Sequence, residues 1–222
     1  MVARITLLLA LMACSAPPSL QTDERARVPA QVIAPSSAAW LERATREEEE
    51  RPEIVLAAMK LKNGDVVADV GAGTGFYTRR LARAVAPNGM VYANDIQPEM
   101  LAILREKAAA EKLTNIIPIL GAERDPKLPE RAFDWILLVD VYHEFQEPAP
   151  MLAAIRRALK PGGRVALVEY RETTTHIRRE HRMSKDEVLR EWLPAGFRLV
   201  EIIEEMPMQR MYVFEAGRRR TS

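Results

Sequence analysis

Cysteine and histidine are scarce in this sequence, and their scarcity narrows the chemistry that the chain can support. The 222 residues include one cysteine and three histidines. The cysteine, Cys14, lies near the N terminus, and His176 and His181 are five residues apart. That spacing does not present two ligands on one helical face as an i, i+4 pair does. We therefore predict no metal site.

The chain also lacks an excess of either charge. It has 32 Lys and Arg residues against 31 Asp and Glu residues, which gives a net charge of +1. A nearly neutral protein has no overall field that attracts polyanions, so we expect no nucleic-acid partner. The composition, 48% hydrophobic and 28% charged, is typical of a chain that buries one ordinary globular core.

No apolar run at the N terminus is long enough to span a bilayer. Residues 5–13 are apolar and would reach about 13 Å as a helix, against roughly 30 Å of hydrocarbon, so they are predicted to form the core of a signal peptide. Residues 1–14 are assigned to this leader. Cys14 directly follows LLLALMA, which resembles a bacterial lipoprotein cleavage site. The resemblance implies an exported protein with membrane attachment through Cys14; the alternative is a cytoplasmic protein with an apolar leader.

The segments that follow the leader differ in character. Residues 15–37 contain four prolines and no apolar period, which predicts a flexible linker and leaves residues 38–222 as the folded domain. The domain should begin with two helical pieces broken at Pro52. Its EEEE run at residues 47–50 is interpreted as a solvated face. An alternative is that this region is a lid over a pocket, with Trp40 as an aromatic contact.

Beyond residue 64, apolar runs of strand length alternate with amphipathic runs of helix length. The predicted strands are residues 65–70, 91–96, 116–120, 133–139 and 164–170, with helices between them. Two further strands, 197–204 and 211–215, are joined by a short link and predict an antiparallel hairpin. This alternation is typical of an α/β fold with a Rossmann-like, doubly wound, mostly parallel sheet whose last strand is antiparallel.

The stretch VADVGAGTGF, residues 67–76, is the strand-to-helix loop that forms the floor of a ligand site in such sheets. Its glycines follow the pattern G-x-G-x-G, whereas a dinucleotide loop reads G-x-G-x-x-G and a P-loop requires a Lys-Ser or Lys-Thr pair. Asp95, at the end of the second strand, can accept hydrogen bonds from ribose hydroxyls. Together these features favour an adenosyl ligand without phosphates, with a nicotinamide dinucleotide as the alternative.

Three motifs in order, DVGAGTG, NDIQPEML and LKPGGRVALVEY, resemble those of the class I S-adenosylmethionine-dependent methyltransferases. LLVDVYHEF also resembles the fourth-strand motif of a group of small bacterial methyltransferases. The resemblance covers residues 40–215 and implies a seven-stranded sheet with an antiparallel last strand. It also implies S-adenosyl-L-methionine as cofactor, held by Asp69, Gly71, Ala72, Gly73, Gly75, Asp95, Ile96, Glu123 and Asp140. Asp69 has a purely structural alternative, and Asp125 is the alternative to Glu123.

Methyl transfer mainly requires that the reacting atoms are held in line in a dry pocket, so a strong base is needed only if the acceptor is protonated. His143 is the candidate base for that case, with a packing role as its alternative. Asp140 is expected to line both the cofactor and the acceptor. Tyr142 either orients the acceptor or fills the wall, and Glu144 is a lesser candidate.

The leading functional hypothesis is a methyltransferase for a small-molecule acceptor, whose wall would be formed by the N-terminal helices and residues 171–182. Two alternatives are a nicotinamide-dependent oxidoreductase and a protein that binds the adenosyl ligand without turnover. The oxidoreductase would show a third glycine one place later and usually a Tyr-x-x-x-Lys pair, which this sequence lacks.

Overall fold

Eight β-strands and six α-helices alternate along residues 28–217, the part of the chain that the computed structural model describes. The strands are β1 (Val66–Val70), β2 (Met90–Asp95), β3 (Ile116–Leu120), β4 (Phe133–Val139), β5 (Leu159–Arg171), β6 (Arg182–Met183), β7 (Phe197–Ile203) and β8 (Gln209–Ala216). The helices are α1 (Arg46–Glu50), α2 (Pro52–Met59), α3 (Phe76–Val85), α4 (Pro98–Ala110), α5 (Pro148–Ala158) and α6 (Lys185–Trp192).

The sheet has the order β3-β2-β1-β4-β5-β8-β7. Its first five strands are parallel, and β8 runs antiparallel to both of its neighbours, β5 and β7. The predicted doubly wound, mostly parallel sheet with an antiparallel last strand is confirmed. The predicted count of seven differs by one, because the two-residue strand β6 pairs with the end of β5 at Tyr170 and Arg171 outside that path.

Helices cover both faces of the sheet, because successive side chains of each central strand point to opposite faces. Ala68 and Val70 of β1 pack on one face with side chains of α5 and α6, while Val67 packs on the other with side chains of α2 and α3. The strand β4, FDWILLV, supplies both cores, and its four central residues are buried. This burial accounts for its continuous apolar sequence.

The chain before β1 forms a wall beside the sheet. A 3-10 helix over Pro35–Glu42 leads into α1, and Arg51 then adopts a left-handed conformation (φ 50°) before Pro52 begins α2. Because the residue before a proline is disfavoured in the right-handed helical region, the helix breaks there as predicted. Residues 28–37, assigned to the linker from sequence, also touch the domain, since Ala30 is buried and donates its N–H to the His143 carbonyl at 3.0 Å.

The segment between β5 and α6 is short and ends in a capping box. Ser184 accepts a hydrogen bond from the Glu187 N–H at 3.2 Å, and the Glu187 carboxylate accepts from the Ser184 N–H at 2.7 Å. The capping box confirms the predicted start of α6. His181, three residues upstream, contacts the ring of His143. Within residues 28–217, no helix combines the length and apolar character needed to cross a membrane.

Candidate functional site

A cavity of about 950 Å³ opens at the carboxyl ends of β1, β2 and β4. Strand β1 lies between β2 and β4, so the chain leaves β1 toward one side of the sheet and β4 toward the other. Such a reversal of strand order creates the crevice in which open α/β sheets bind ligands. The cavity wall also includes side chains of residues 31–50 and 176–181. Residues 31–37 belong to the segment assigned to a linker from sequence, whereas the N-terminal helices and residues 171–182 are predicted to line the cavity.

The glycine loop approaches the cavity with its backbone. Gly71 and Gly73 line the cavity and have positive φ angles of 74° and 54°, a region that side chains disfavour. A Cβ atom on Gly71 would lie 2.3 Å from the Val141 side chain, and one on Gly73 would lie 3.1 Å from Leu41. Ala72 lines the cavity beside them. The loop therefore has no room for a side chain at Gly71, while at Gly73 the positive φ is the stronger restriction.

Gly75 has a different role from the other two glycines. It does not border the cavity but serves as the N-cap of α3, with φ at 86°. A Cβ atom there would lie 2.8 Å from Leu104 of α4. The expectation that Gly75 wraps the ligand is therefore corrected, since the structure uses this glycine to pack the loop against α4.

Asp95 lies in the cavity wall at the end of β2, as predicted. Its Oδ2 accepts the Gly73 N–H at 2.8 Å and its Oδ1 accepts the Gln97 N–H at 2.9 Å. Burial raises the pKa of this carboxyl above its ordinary value, while the backbone donors oppose that rise. The neighbouring Ile96 is 39% exposed and also lines the cavity.

Of the two acidic candidates after β3, Glu123 borders the cavity and Asp125 does not. Asp125 stabilises its own turn, because its Oδ1 accepts the Lys127 N–H at 2.8 Å and its backbone pairs with Ala122. Glu123 is exposed to solvent at the cavity edge. The structure therefore favours Glu123 over Asp125 by position.

Asp69, at the floor of the cavity, is buried and accepts a 2.5 Å hydrogen bond from the Thr78 hydroxyl of α3. Burial raises its pKa to about 6, and the Thr78 hydrogen bond opposes that rise. The carboxyl fixes the start of α3 and also faces the cavity. Both predicted roles, structural and ligand-binding, are compatible with this geometry.

Asp140, directly after β4, has a left-handed backbone (φ 49°) and accepts a 2.5 Å hydrogen bond from the Gln209 amide through Oδ2. Burial raises its pKa well above the ordinary value, and the nearby carboxylates of Glu50 and Glu169 add to the rise. Its other oxygen, Oδ1, is buried without a hydrogen-bond partner among residues 28–217. The predicted position of Asp140 in the cavity wall agrees with the structure.

Glu50 corrects the interpretation of the EEEE run as a solvated face. Glu47 and Glu48 are exposed, but Glu50 is 1% exposed and lines the cavity. It turns inward because α1 ends there and the chain reverses at Arg51. Arg46, one turn earlier, donates to the Glu50 carboxylate at 2.8 Å and stacks on the Phe76 ring at 4.1 Å.

Five buried polar atoms at the site have no hydrogen-bond partner within the described residues. They are Glu50 Oε2, Asp140 Oδ1, Tyr77 Oη, Tyr170 Oη and Gln209 Oε1. All of these residues except Gln209 line the cavity, and Gln209 bonds to Asp140. Buried polar atoms are nearly always paired, so a cluster of unpaired ones marks the place where a polar ligand completes the network.

His143 occupies the cavity wall, as predicted, but it is 2% exposed. Its Nδ1 lies 2.6 Å from Glu169 Oε2, and its Nε2 lies 3.1 Å from Nδ1 of His181. Glu169, on β5, is 1% exposed. His181 is only half-buried and faces the cavity. The predicted base therefore belongs to a chain of three titratable groups.

The two neighbours of His143 differ in position: Tyr142 lies in the core, and Glu144 lies in the cavity wall. Tyr142 is fully buried in the core beside Trp192, its hydroxyl lies 2.5 Å from the Glu191 carboxylate, and it does not line the cavity. The suggestion that it orients an acceptor is corrected, because Tyr142 begins the 3-10 turn Tyr142–Glu144 and packs against Trp192 of α6. Glu144 does line the cavity, and burial raises its pKa to about 7.

Residues 67–163 match a protein family described as a methyltransferase domain. The solved structure of an S-adenosylmethionine-dependent methyltransferase from Aquifex aeolicus is 30% identical, with a TM-score of 0.78 over 83% of this chain and 100% of its own. An S-adenosylmethionine-dependent methyltransferase from Mesorhizobium loti, 19% identical, has a TM-score of 0.61 over 78% of this chain and 99% of its own, and shows the shared fold.

Curated relatives include the ubiquinone/menaquinone biosynthesis C-methyltransferase UbiE of Burkholderia cenocepacia. It is 29% identical over 142 residues, which are 64% of this chain and 58% of that protein. The chain thus spans little more than half the length of the curated relatives that it matches.

Proposed function

The chain belongs to the S-adenosylmethionine-dependent methyltransferases, and on that premise we propose that it transfers a methyl group to a small organic acceptor bound in the same cavity. Family membership decides between the two cofactors that the glycine loop left open. The cofactor is S-adenosyl-L-methionine, which supplies an activated methyl group on a positively charged sulfur. The remaining questions concern the residues that hold it and the molecule that receives the methyl group.

The residues at the end of β2 fit the adenosyl part of this cofactor. Each Asp95 oxygen accepts one backbone hydrogen bond and, with two lone pairs, has capacity for a ribose hydroxyl as well. Ile96 offers exposed apolar surface beside it, suited to contact with the adenine ring. Gly71 and Gly73 leave the backbone open to the middle of the ligand.

The cluster of unpaired polar atoms is the observation that carries the proposal. Two of its members, Glu50 and Asp140, are carboxyl groups, and three, Tyr77, Tyr170 and Gln209, offer neutral polar atoms. In each carboxyl group one oxygen is paired, that of Glu50 with Arg46 and that of Asp140 with Gln209, and the other oxygen is not. A buried acceptor without a donor is costly, and the ammonium group of the cofactor can donate to these oxygens. We therefore place the amino-acid end of the cofactor among these side chains.

Several apolar side chains in the rest of the cavity lining support an acceptor with a large apolar part. The lining includes Val32, Ile33, Trp40, Phe145 and Met151. The cavity volume, about 950 Å³, lies at the upper end of the roughly 300–1,000 Å³ typical of small-ligand sites, so it has room for more than the cofactor. The name of the UbiE relative makes a quinone-like acceptor methylated on carbon one candidate within this class.

The proposal is tested by incubating the full-length protein with S-adenosylmethionine that carries a deuterated methyl group and an extract of bacterial small molecules. Mass spectrometry should detect S-adenosylhomocysteine together with a product heavier by one deuterated methyl group. The Asp140→Ala variant serves as the matched control. Binding of the cofactor without any labelled product would support a non-catalytic binding protein instead.

We also propose that the protein is exported and attached to a membrane through Cys14. The support is sequence alone: the apolar residues 5–13 directly precede the single cysteine. Both features lie outside residues 28–217, so the structure does not bear on them. An exported enzyme would need a supply of S-adenosylmethionine outside the cytosol. The alternative is therefore a cytoplasmic protein that keeps its apolar leader.

A further inference from the structure

Three titratable side chains form a continuous line from β5 to the cavity. Glu169 Oε2 lies 2.6 Å from His143 Nδ1, and His143 Nε2 lies 3.1 Å from His181 Nδ1. The imidazole rings are nearly perpendicular, at 86°, with centroids 5.0 Å apart. The first two residues are almost fully buried, whereas His181 is half-buried and borders the cavity. One end of the line, Glu169, is therefore buried in the protein, and the other end, His181, borders the cavity.

Hydrogen-bond complementarity fixes the protons along this line. Glu169 accepts from the backbone N–H groups of Tyr142 (2.9 Å) and His143 (3.3 Å) as well as from the His143 ring. A carboxylate accepts only, so His143 donates from Nδ1, and in the neutral state of His143 its Nε2 accepts. His181 must then donate from Nδ1, and its Nε2 holds an unshared pair. That Nε2 has no hydrogen-bond partner in residues 28–217.

We infer that His181 is the base that removes a proton from the methyl acceptor, and that His143 and Glu169 are positioning residues that take up the resulting charge. This inference rests on the proposed methyltransferase function. The acceptor proton moves to Nε2 of His181 while the electrons that it leaves form the new bond to the methyl carbon. The sulfur–methyl bond breaks and its electron pair stays on sulfur.

The positive charge then moves away from the acceptor. The Nδ1 proton of His181 shifts to Nε2 of His143, which becomes an imidazolium beside the Glu169 carboxylate. His181, now with a proton on Nε2 alone, regains its first tautomer by losing that proton to solvent and recovering one from His143. Atoms and charges balance, because the methyl cation equivalent gained by the acceptor replaces the proton released.

The surroundings of His181 suit a base at neutral pH. Burial lowers its pKa, and the positive charge of Arg178 lowers it further, whereas Glu180 and Glu169 oppose the change. His181 is therefore neutral at physiological pH and free to accept a proton. Glu144 also borders the cavity near His143, with a pKa of about 7 from burial, and is the competing base.

The inference narrows the acceptor class. A relay of this kind serves an acceptor that loses a hydrogen, such as a phenol, a thiol, an amine or an acidic carbon, rather than one that is methylated without losing a proton. The quinone-like candidates belong to this class when they are in the reduced, phenolic form.

Nitrogen-15 NMR of the histidine rings tests the relay on the protein alone. The chain has only three histidines, so the ring signals are few. We expect His143 and His181 to carry their neutral-state proton on Nδ1. In Glu169→Gln, the titration midpoint of His181 should move to lower pH, because the negative charge that raises its pKa is removed. A proton on Nε2 of neutral His181, or an unmoved midpoint, would overturn the relay.

Turnover provides the second test, with variants that preserve shape. His181→Asn should lower turnover of a phenolic acceptor roughly 10²- to 10⁴-fold at unchanged cofactor affinity, as expected for loss of a general base. Glu106→Gln is the control and should be unaffected, because Glu106 is exposed on α4 and does not border the cavity. A loss confined to Glu144→Gln would assign the base to Glu144 and overturn the inference. If the unmodified protein does not bind S-adenosylmethionine, the proposed function is rejected. The NMR test does not require the cofactor, so the two failures can be distinguished.

Discussion

The backbone N–H of Gly73 donates a 2.8 Å hydrogen bond to Oδ2 of Asp95. The two residues are 22 positions apart, one in the loop after β1 and the other at the end of β2. This bond joins the glycine loop and the carboxylate that we propose as the ribose contact into one surface. The loop conformation and the placement of Asp95 therefore depend on each other.

We expect Asp95→Ala to weaken S-adenosylmethionine binding by about 1.5–3 kcal/mol, the range for hydrogen bonds to a charged group. The substitution removes the proposed ribose contact and also the support of Gly73. Isothermal titration calorimetry measures the change. Asp125→Ala is the control, because Asp125 lies outside the cavity wall. Equal affinities of Asp95→Ala and the unmodified protein would contradict the assignment.

Gly73→Val should give a folded protein with little cofactor binding. The side chain would contact Leu41 at the cavity edge and would strain a backbone held at φ 54°. Gly162→Val is the matched control, since Gly162 also has a positive φ of 81° but no atom within 4 Å of a new Cβ. If both variants bind the cofactor normally, the loop does not touch the ligand.

Asp69 should make stability depend on pH. Its pKa rises from 3.8 to about 6 on folding, so the folded state binds the proton more tightly and the free energy of unfolding falls as pH increases through that window. Asp69→Asn keeps an acceptor for Thr78 but does not titrate. Above about pH 6 we expect its free energy of unfolding to exceed that of the unmodified protein by up to about 3 kcal/mol, at 1.36 kcal/mol per pKa unit. Its unfolding temperature should be correspondingly higher.

The advantage of Asp69→Asn should shrink toward zero below about pH 3, where the carboxyl is protonated in both states. Thermal unfolding followed by circular dichroism over this range measures it. A constant difference between the two proteins at all pH values would show that the pKa of Asp69 is unperturbed by folding.

Cys14→Ser tests membrane attachment. If the lipoprotein proposal is correct, the mature chain begins at Cys14 and occurs in the membrane fraction, and the variant leaves that fraction because the lipidated thiol is gone. Fractionation and intact-mass spectrometry of the native chain provide the measurement. A soluble cytosolic protein that retains Met1 would contradict the proposal.

The sequence was sufficient for the features that local patterns encode. The alternation of apolar and amphipathic segments predicts the parallel sheet. The G-x-G-x-G loop and Asp95 predict where the cavity lies, because the ends of neighbouring parallel strands meet at one edge of the sheet. Gly75 was assigned to the ligand since the motif does not distinguish a glycine that packs against a helix, here Leu104 of α4, from one that faces a cavity.

The contacts of the proposed relay could not be predicted in the same way, because its residues meet only through tertiary structure. Glu169 is 26 positions from His143, and His181 is 38 positions from it. A signal for Glu169 was present, since it is a charged residue within the buried strand sequence RVALVEY. Glu50 was hidden in a run of four glutamates, and only the reversal at Arg51 turns it toward the cavity.

Calorimetric titration of the full-length protein with S-adenosylmethionine, S-adenosylhomocysteine and NAD tests the central claim, that this cavity is an adenosyl site for methyl transfer, most directly. The account predicts that the first two ligands bind with one site per chain and that NAD gives no saturable heat. Binding of NAD without binding of S-adenosylmethionine would contradict it.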